Sequence, residues 1–236
     1  MKKLIFTMLF VVTCTMAMAK GGVRDKMKFV QTHFDISWTI PKGFKAEKWD
    51  GIDKIYGTVK STNKKSAAGN LYWMGAVSAD GNCRLLYQHI YMMAGISETT
   101  KINVFDMFVT SELYSAVNGG YYMHEKKTIK PEWNKYLTIA SGPEVRAAYN
   151  ADSIYVVDFP NVSTAFAAGY NHCIGLYLCR AGHMPAIVMC LLNDDGYRQK
   201  NKYVKAVKQA VRFGDREWVY NRDEAAKAYH KISSKW

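Results

Sequence analysis

Two stretches near the middle of the second half, Cys173–Cys179 and Ala186–Leu192, are apolar at nearly every position and are joined around Ala181–Pro185. A strand with one wet face alternates apolar and polar residues, whereas one that is apolar throughout has both faces covered. This hairpin therefore belongs in the interior of a sheet with material packed above and below it. A second hairpin is equally legible. Leu71–Ser78 and Cys83–Met93 bracket Asp80-Gly81-Asn82, whose Asp-Gly step suits a tight turn with positive φ.

Other elements follow from periodicity and end signals. Val30, Thr32, Phe34, Ile36, Trp38 and Ile40 fall on one parity, which predicts a half-buried strand stopped by Pro41-Lys42-Gly43. Lys54–Lys60 reads as a strand and Ser61–Gly69 as an exposed loop. Asn103 is placed to cap a helix carrying Phe105, Phe108, Val109, Leu113 and Val117, closed by Asn118-Gly119-Gly120. Tyr121–Ile129 reads as a further strand. Ser141 and Glu144 have capping-box spacing, so a short helix is expected through Tyr149, with Asn150 as its left-handed terminator. Ser153–Phe159 is β-rich and ends at Pro160. Asp195 and Gly196 turn the chain into a helix over Lys200–Arg212, with Tyr203, Val204, Val207, Ala210 and Val211 as its apolar stripe. Asn221 and Glu224 open a C-terminal amphipathic helix that either docks on the domain or waits for a partner.

Summed, the reading is α+β: an antiparallel sheet flanked by helices. Residues 27–214 are expected to form one domain, preceded by a loose segment at 20–26 and followed by a helical tail at 215–236. The early strand ending in Ile40-Pro41-Lys42-Gly43-Phe44 resembles the opening of PsbP-like domains. So does the close, an apolar strand, the acidic turn Asn193-Asp194-Asp195-Gly196, and a helix ending in Val211-Arg212-Phe213. The resemblance implies a three-layer sandwich of helices on an antiparallel sheet. It carries over no catalytic residues, since such domains serve mainly as binding and assembly modules, and fold alone does not decide function.

The N-terminus reads as a leader. Met1-Lys2-Lys3 is basic, Leu4–Val12 is apolar apart from Thr7, and Ala17-Met18-Ala19 supplies the small residues that signal peptidase needs. Residues 1–19 are thus expected to be a cleavable signal peptide, and the protein to be exported, periplasmic or secreted. The apolar run falls short of the roughly 20 residues that span a bilayer, so no transmembrane helix is expected in the mature chain. Lipid anchoring through Cys14 is disfavoured, because Thr13 stands where a lipoprotein site has Gly, Ala or Ser.

The formal net charge is +12, and the leader carries two of the lysines and no acid. Outside the cytoplasm, such a charge suits an envelope glycan, lipid headgroup or acidic protein partner, and no nucleic acid is expected. The four cysteines of the mature chain are Cys83, Cys173, Cys179 and Cys190. Cys173 and Cys179 lie about 20 Å apart along one strand, too far to bond. Buried free thiols, or one bridge involving Cys83, remain.

Candidate chemistry is sparse. His172, Cys173, Cys179 and His183 form the densest reactive cluster, and a nucleophilic cysteine needs an imidazole beside it. His172 and Cys173 point to opposite faces of a strand, while His183 lies nearer Cys179. A hydrolase or thiol enzyme using Cys173, Cys179 and His183 is the alternative to buried core cysteines beside a loop histidine. No second ligand pair joins Cys179 and His183, so no metal site is expected, and no glycine pattern announces a phosphate cofactor. Arg146 and Asp152 flank a helix–strand junction and could hold a ligand. Trp133 and Tyr136 lie near Lys130 and Lys135, and aromatic rings beside bases suit sugars or acidic polymers. The function expected is a non-enzymatic exported binding or assembly module.

Overall fold

The doubly apolar hairpin sits at the centre of a seven-stranded antiparallel sheet in a computed structural model that describes residues 22–47, 72–100, 109, 113, 117, 132–160, 169–215 and 217–233. Across the sheet the order is β2 (Phe44–Glu47), β3 (Tyr72–Ser78), β4 (Cys83–Gln88), β8 (Ala186–Leu192), β7 (His172–Cys179), β6 (Ser153–Phe159) and β5 (Leu137–Ser141). Both hairpins expected from the sequence are present, and they meet through β4 and β8. Cys83 lies opposite Leu192 and Leu85 opposite Cys190, while on the other side of β8 Ile174 is opposite Cys190.

Because side chains alternate across a strand, β7 and β8 feed two separate cores. On the first face Ile174, Leu176, Val188 and Cys190 join Leu85 and Tyr87 under α1 (Gly22–Phe34) and α6 (Lys200–Lys208). On the second face Cys173, Tyr177, Ile187, Met189 and Leu191 pack with Met93 of α2 (Ile90–Thr100) and with Val109 and Leu113. The fold is therefore α+β, an antiparallel sheet between helical layers. No helix among the described residues is long and apolar enough to cross a membrane.

Several boundaries differ from the sequence reading. From Gly22 onward, the segment expected to be loose as far as Lys26 and then a strand from Val30 is the helix α1, which buries Lys26, Phe29, Val30 and Phe34 at helical spacing. Asp35, with φ 55°, breaks it, and only Ile36–Trp38 (β1) is extended. The strand expected over Cys83–Met93 stops at Gln88, and α2 begins at Ile90. Ser141 is not a cap. It pairs with Ser153 as the last residue of β5, and α4 (Pro143–Tyr149) starts from Gly142, which has φ 98° and offers no side-chain bond. Asn150 does close α4 in the left-handed region, at φ 49°. The helix expected to reach Arg212 ends at Lys208, after which Val211–Phe213 (β9) pairs antiparallel with β1, Trp38 opposite Val211. The leader at 1–19 with Cys14, the strands expected over Lys54–Lys60 and Tyr121–Ile129, the loop Ser61–Gly69, the Asn103 cap and Lys130 lie outside the described residues.

The C-terminal helix α7 (Arg222–Ser233) docks on the domain. Asn221 Oδ1 accepts from the Glu224 amide at 3.2 Å, and Ala225 is fully buried in the first core. Tyr229 stacks on Tyr91 at 4.4 Å, and its hydroxyl meets His89 Nε2 at 3.2 Å. Upstream, Trp218 donates to the His33 carbonyl at 2.9 Å and stacks on His183. Truncation after Asp215 removes Trp218, Tyr220, Ala225 and Tyr229 together. The loss of three half-buried aromatics and the buried Ala225 is expected to lower unfolding free energy by about 3 kcal/mol, read from the urea midpoint.

His89 adds a pH dependence. It is fully buried against Trp73, and burial holds its pKa down, from 6.5 to about 4. The unfolded chain therefore binds the proton more readily than the folded one. Stability is whole above pH 6.5 and falls as pH drops from 6.5 towards 4, by up to about 3 kcal/mol from this group. Urea unfolding of wild type and His89→Gln across that window should show a steeper acid loss in wild type; parallel curves would contradict it.

Candidate functional site

A cleft lined by convergent polar and aromatic groups opens where β6 ends and β7 begins. It encloses about 490 Å³ and is lined by Lys135, Tyr136, Asp158, Phe159, Pro160, Asn171, His172 and Tyr197. Lys135 and Tyr136 come from the single turn α3 (Trp133–Tyr136), directly before β5. Asp158 and Phe159 close β6, and His172 opens β7. Tyr197 lies on α5 (Asp194–Arg198).

The position of α5 follows from local sequence. Asn193 caps it, accepting from the Gly196 amide at 2.8 Å, and its own amide donates to Asn82 Oδ1 at 3.0 Å. Gly196 lies so close to the β3–β4 turn that a Cβ there would sit 2.2 Å from the Asn82 carbonyl oxygen. Only glycine permits that approach. The Asp80-Gly81-Asn82 turn thus anchors the helix that carries Tyr197.

Tyr197 is held on three sides. Its ring stacks on His172 at 4.1 Å, with 12° between the planes. Its hydroxyl donates to Asp158 Oδ2 at 2.7 Å, and Lys200 Nζ donates to the same oxygen at 2.6 Å. Lys200 also lies 4.3 Å from the Tyr197 ring centroid. Across the ring, His172 Nε2 meets Asp194 Oδ1 at 2.9 Å. Burial and the bond to Asp158 raise the Tyr197 pKa, and the Asp158 bond raises that of Lys200. Both therefore keep their protons at neutral pH. The result is an aromatic plate, Tyr197 on His172, flanked by a carboxylate, the Asn171 amide and the Lys135 ammonium. With Tyr197 covered by His172 and Lys200, the set offers the Tyr136 ring to C–H groups and several donors and acceptors to hydroxyls.

The residues singled out on sequence grounds are distributed as follows. Tyr136 lines the cleft, with Lys135 Nζ 5.5 Å from its ring centroid, and Trp133 packs at the margin of the second core. Arg146 and Asp152 do come together as an ion pair, at the opposite end of β6. Asp152 Oδ2 also accepts from the Ala181 amide at 2.6 Å, and Asn150 donates to the Gly214 carbonyl, so these residues tie the β7–β8 turn and β9 to α4. Cys173 is buried in the second core and Cys179 is half-buried, both as free thiols, as are Cys83 and Cys190. Burial and the Asp152 charge push the Cys179 thiol up to about 12. His183 is not a surface loop histidine. Its side chain is only 7% exposed, stacks on Trp218 at 5.0 Å and faces Asp35 Oδ2 at 3.6 Å. Among the described residues no group of three or more His, Cys, Asp or Glu could hold a metal ion. Asp158, Tyr197, Lys200 and Asp194 were not found from sequence. Their one local signal is the three-residue step from Tyr197 to Lys200 after an acidic turn.

No family model matches the chain, and no curated protein matches it. Among solved structures it is similar to the solution structure of cyanobacterial PsbP from Synechocystis sp., at 10% identity, over 82% of this chain and 89% of that one, with a TM-score of 0.37.

The thiol geometry has a direct consequence. Cys173 and Cys179 should resist alkylation by iodoacetamide in the folded protein at neutral pH, at least about a hundredfold more slowly than after denaturation. Mass spectrometry of the labelled peptides checks this, and rapid native labelling of Cys179 would contradict the pKa assignment.

Proposed function

We propose that the chain is an exported, non-enzymatic binding module whose cleft takes a polyhydroxylated ligand, an envelope or extracellular glycan. The observation that supports this reading is the Tyr197–His172 plate with Asp158, Asn171 and Lys135 around it. Aromatic faces stack on the apolar faces of sugar rings, and carboxylate, amide and ammonium groups take the hydroxyls. Two residues with raised pKa, Tyr197 and Lys200, suit a fixed hydrogen-bonding surface better than proton transfer near neutrality. The Arg146–Asp152 pair and the cysteines have structural partners and do not enter this reading.

Export fits the start of the fold. Cleavage after Ala19 would leave Lys20 and Gly21 ahead of Gly22, where the described part of α1 begins, so the cut falls outside that helix. The excess of Lys and Arg over acids then favours glycans that carry carboxylate or sulfate groups over neutral ones. A glycan array probed with purified protein, followed by titration calorimetry on the best binder, tests the reading. Tyr136→Ala and Asp158→Asn are each expected to weaken binding about tenfold or more, with the melting temperature of Tyr136→Ala close to wild type. Absence of any glycan hit, or hits indifferent to both substitutions, would remove it.

A further inference from the structure

We propose that the edge strand β5 is a self-association surface that pairs antiparallel with β5 of a second copy of this chain, about a two-fold axis at Ile139. Among the described residues β5 is one margin of the seven-stranded sheet and bonds only to β6. An edge strand leaves a row of N–H and C=O groups ready to pair, and proteins that stay monomeric guard such rows with charge, proline or bulges. The two margins differ sharply in this respect. β2, at the other side, is Phe44-Lys45-Ala46-Glu47 and carries a charge of each sign. β5 is Leu137-Thr138-Ile139-Ala140-Ser141, with no charge, no proline and no glycine in a chain whose formal charge is +12. Thr138 to Ser141 are exposed, and Ile139 is 56% exposed, an unusual position for a β-branched apolar side chain.

The occupant follows from the strand's own symmetry. An antiparallel pair centred on Ile139 sets Ile139 against Ile139, Thr138 against Ala140 and Leu137 against Ser141. Each pairing is free of charge conflict, and the central one joins two β-branched residues. The flanks are complementary in the same arrangement. Lys135 precedes the strand and Glu144 follows it, both exposed, so each copy brings its base to the level of its partner's acid. Isologous contacts repeat every interaction twice, and this one would continue the sheet across the axis. A consequence rests on the glycan reading, although self-association does not. Tyr136 lies three residues from the axis, so the two clefts would be separated along the strand by roughly 20 Å or more. A pair of sites so spaced suits a repeating polymer, through effective concentration.

Sedimentation equilibrium of the purified protein over a concentration series tests the surface. The expected result is twice the chain mass at high concentration for wild type. Ile139→Lys, which sets two ammonium groups face to face, should give the single-chain mass with an unchanged circular dichroism spectrum. Lys135→Glu and Glu144→Lys should each raise the dissociation constant roughly three- to tenfold, because the axis repeats the pair, and the double exchange should restore it. A wild type that stays at single-chain mass up to its solubility limit overturns the proposal. So does a dimer indifferent to Ile139→Lys, or, if that variant does not fold, one indifferent to both charge reversals. Glycan binding measured on wild type and Ile139→Lys, which leave the cleft residues unchanged, separates the two readings: a monomer that still binds through Tyr136 sinks only this one.

Discussion

The backbone ladder of β4, β8 and β7 is buried on both faces, and the rest of the molecule is arranged to keep it so. Strands such as Ala186–Leu192, with every residue buried, have no wet side to spare. Each face must be roofed, and at roughly 25 cal/mol per Å² of apolar surface the roofing is a large share of the favourable term in folding. The second face is covered by residues from the middle of the chain, Met93, Val109 and Leu113. The first is covered by α1, α6 and α7, which come from both ends. This division makes the two termini depend on each other. β1 has β9 as its strand partner, the Gly214 amide donates to the Asp35 carbonyl, and Trp218 reaches the His33 carbonyl.

The cleft inherits its rigidity from that frame. Its floor is the end of β6 and the start of β7, and its wall is a short helix pinned through Asn193 and Gly196 to the turn between β3 and β4. Asp158 receives Tyr197 and Lys200 on a single oxygen, which fixes the Tyr197 ring against His172 before any ligand arrives. A preorganised plate of this kind avoids the ordering cost that a floppy aromatic would incur on binding.

The sequence made the central ladder legible because continuous apolar runs and an Asp-Gly turn are strong, local signals. It misled at Val30 and Phe34 for a definable reason. A spacing of four residues satisfies a period of two and nearly satisfies one of 3.6, so those two positions fit both a strand and a helix. Phe29 and Lys26, also buried, decide for the helix, but a buried lysine is not a residue that pattern reading assigns to a core. Lys26 is tolerated because its ammonium donates to the Trp73 carbonyl at 2.9 Å and sits by the Trp73 ring. Val211 failed in the mirror sense. Its helical phase with Val207 is correct, yet Trp38 needs a strand partner, and tertiary pairing overrode local propensity. Tyr136 and Lys135 were visible as aromatic and base in sequence proximity. The acid they share the cleft with, Asp158, lies on the neighbouring strand β6, one step past the Leu137–Val157 pair, and no local sequence signal reports that pairing.

The ionisable groups divide between these two regions in a way that separates stability from recognition. Lys26, Asp35, His89 and His183 are buried beneath the terminal segments, where a change of protonation must be met inside the core. Around the cleft Asp158 and Lys200 form a partly exposed ion pair, and His172 meets Asp194 beside them, where solvent screens such a change. Acid therefore acts first on the cover of the sheet, through His89 and its contact with Tyr229. Around the cleft, Tyr197 and Lys200 hold their protons far above that range.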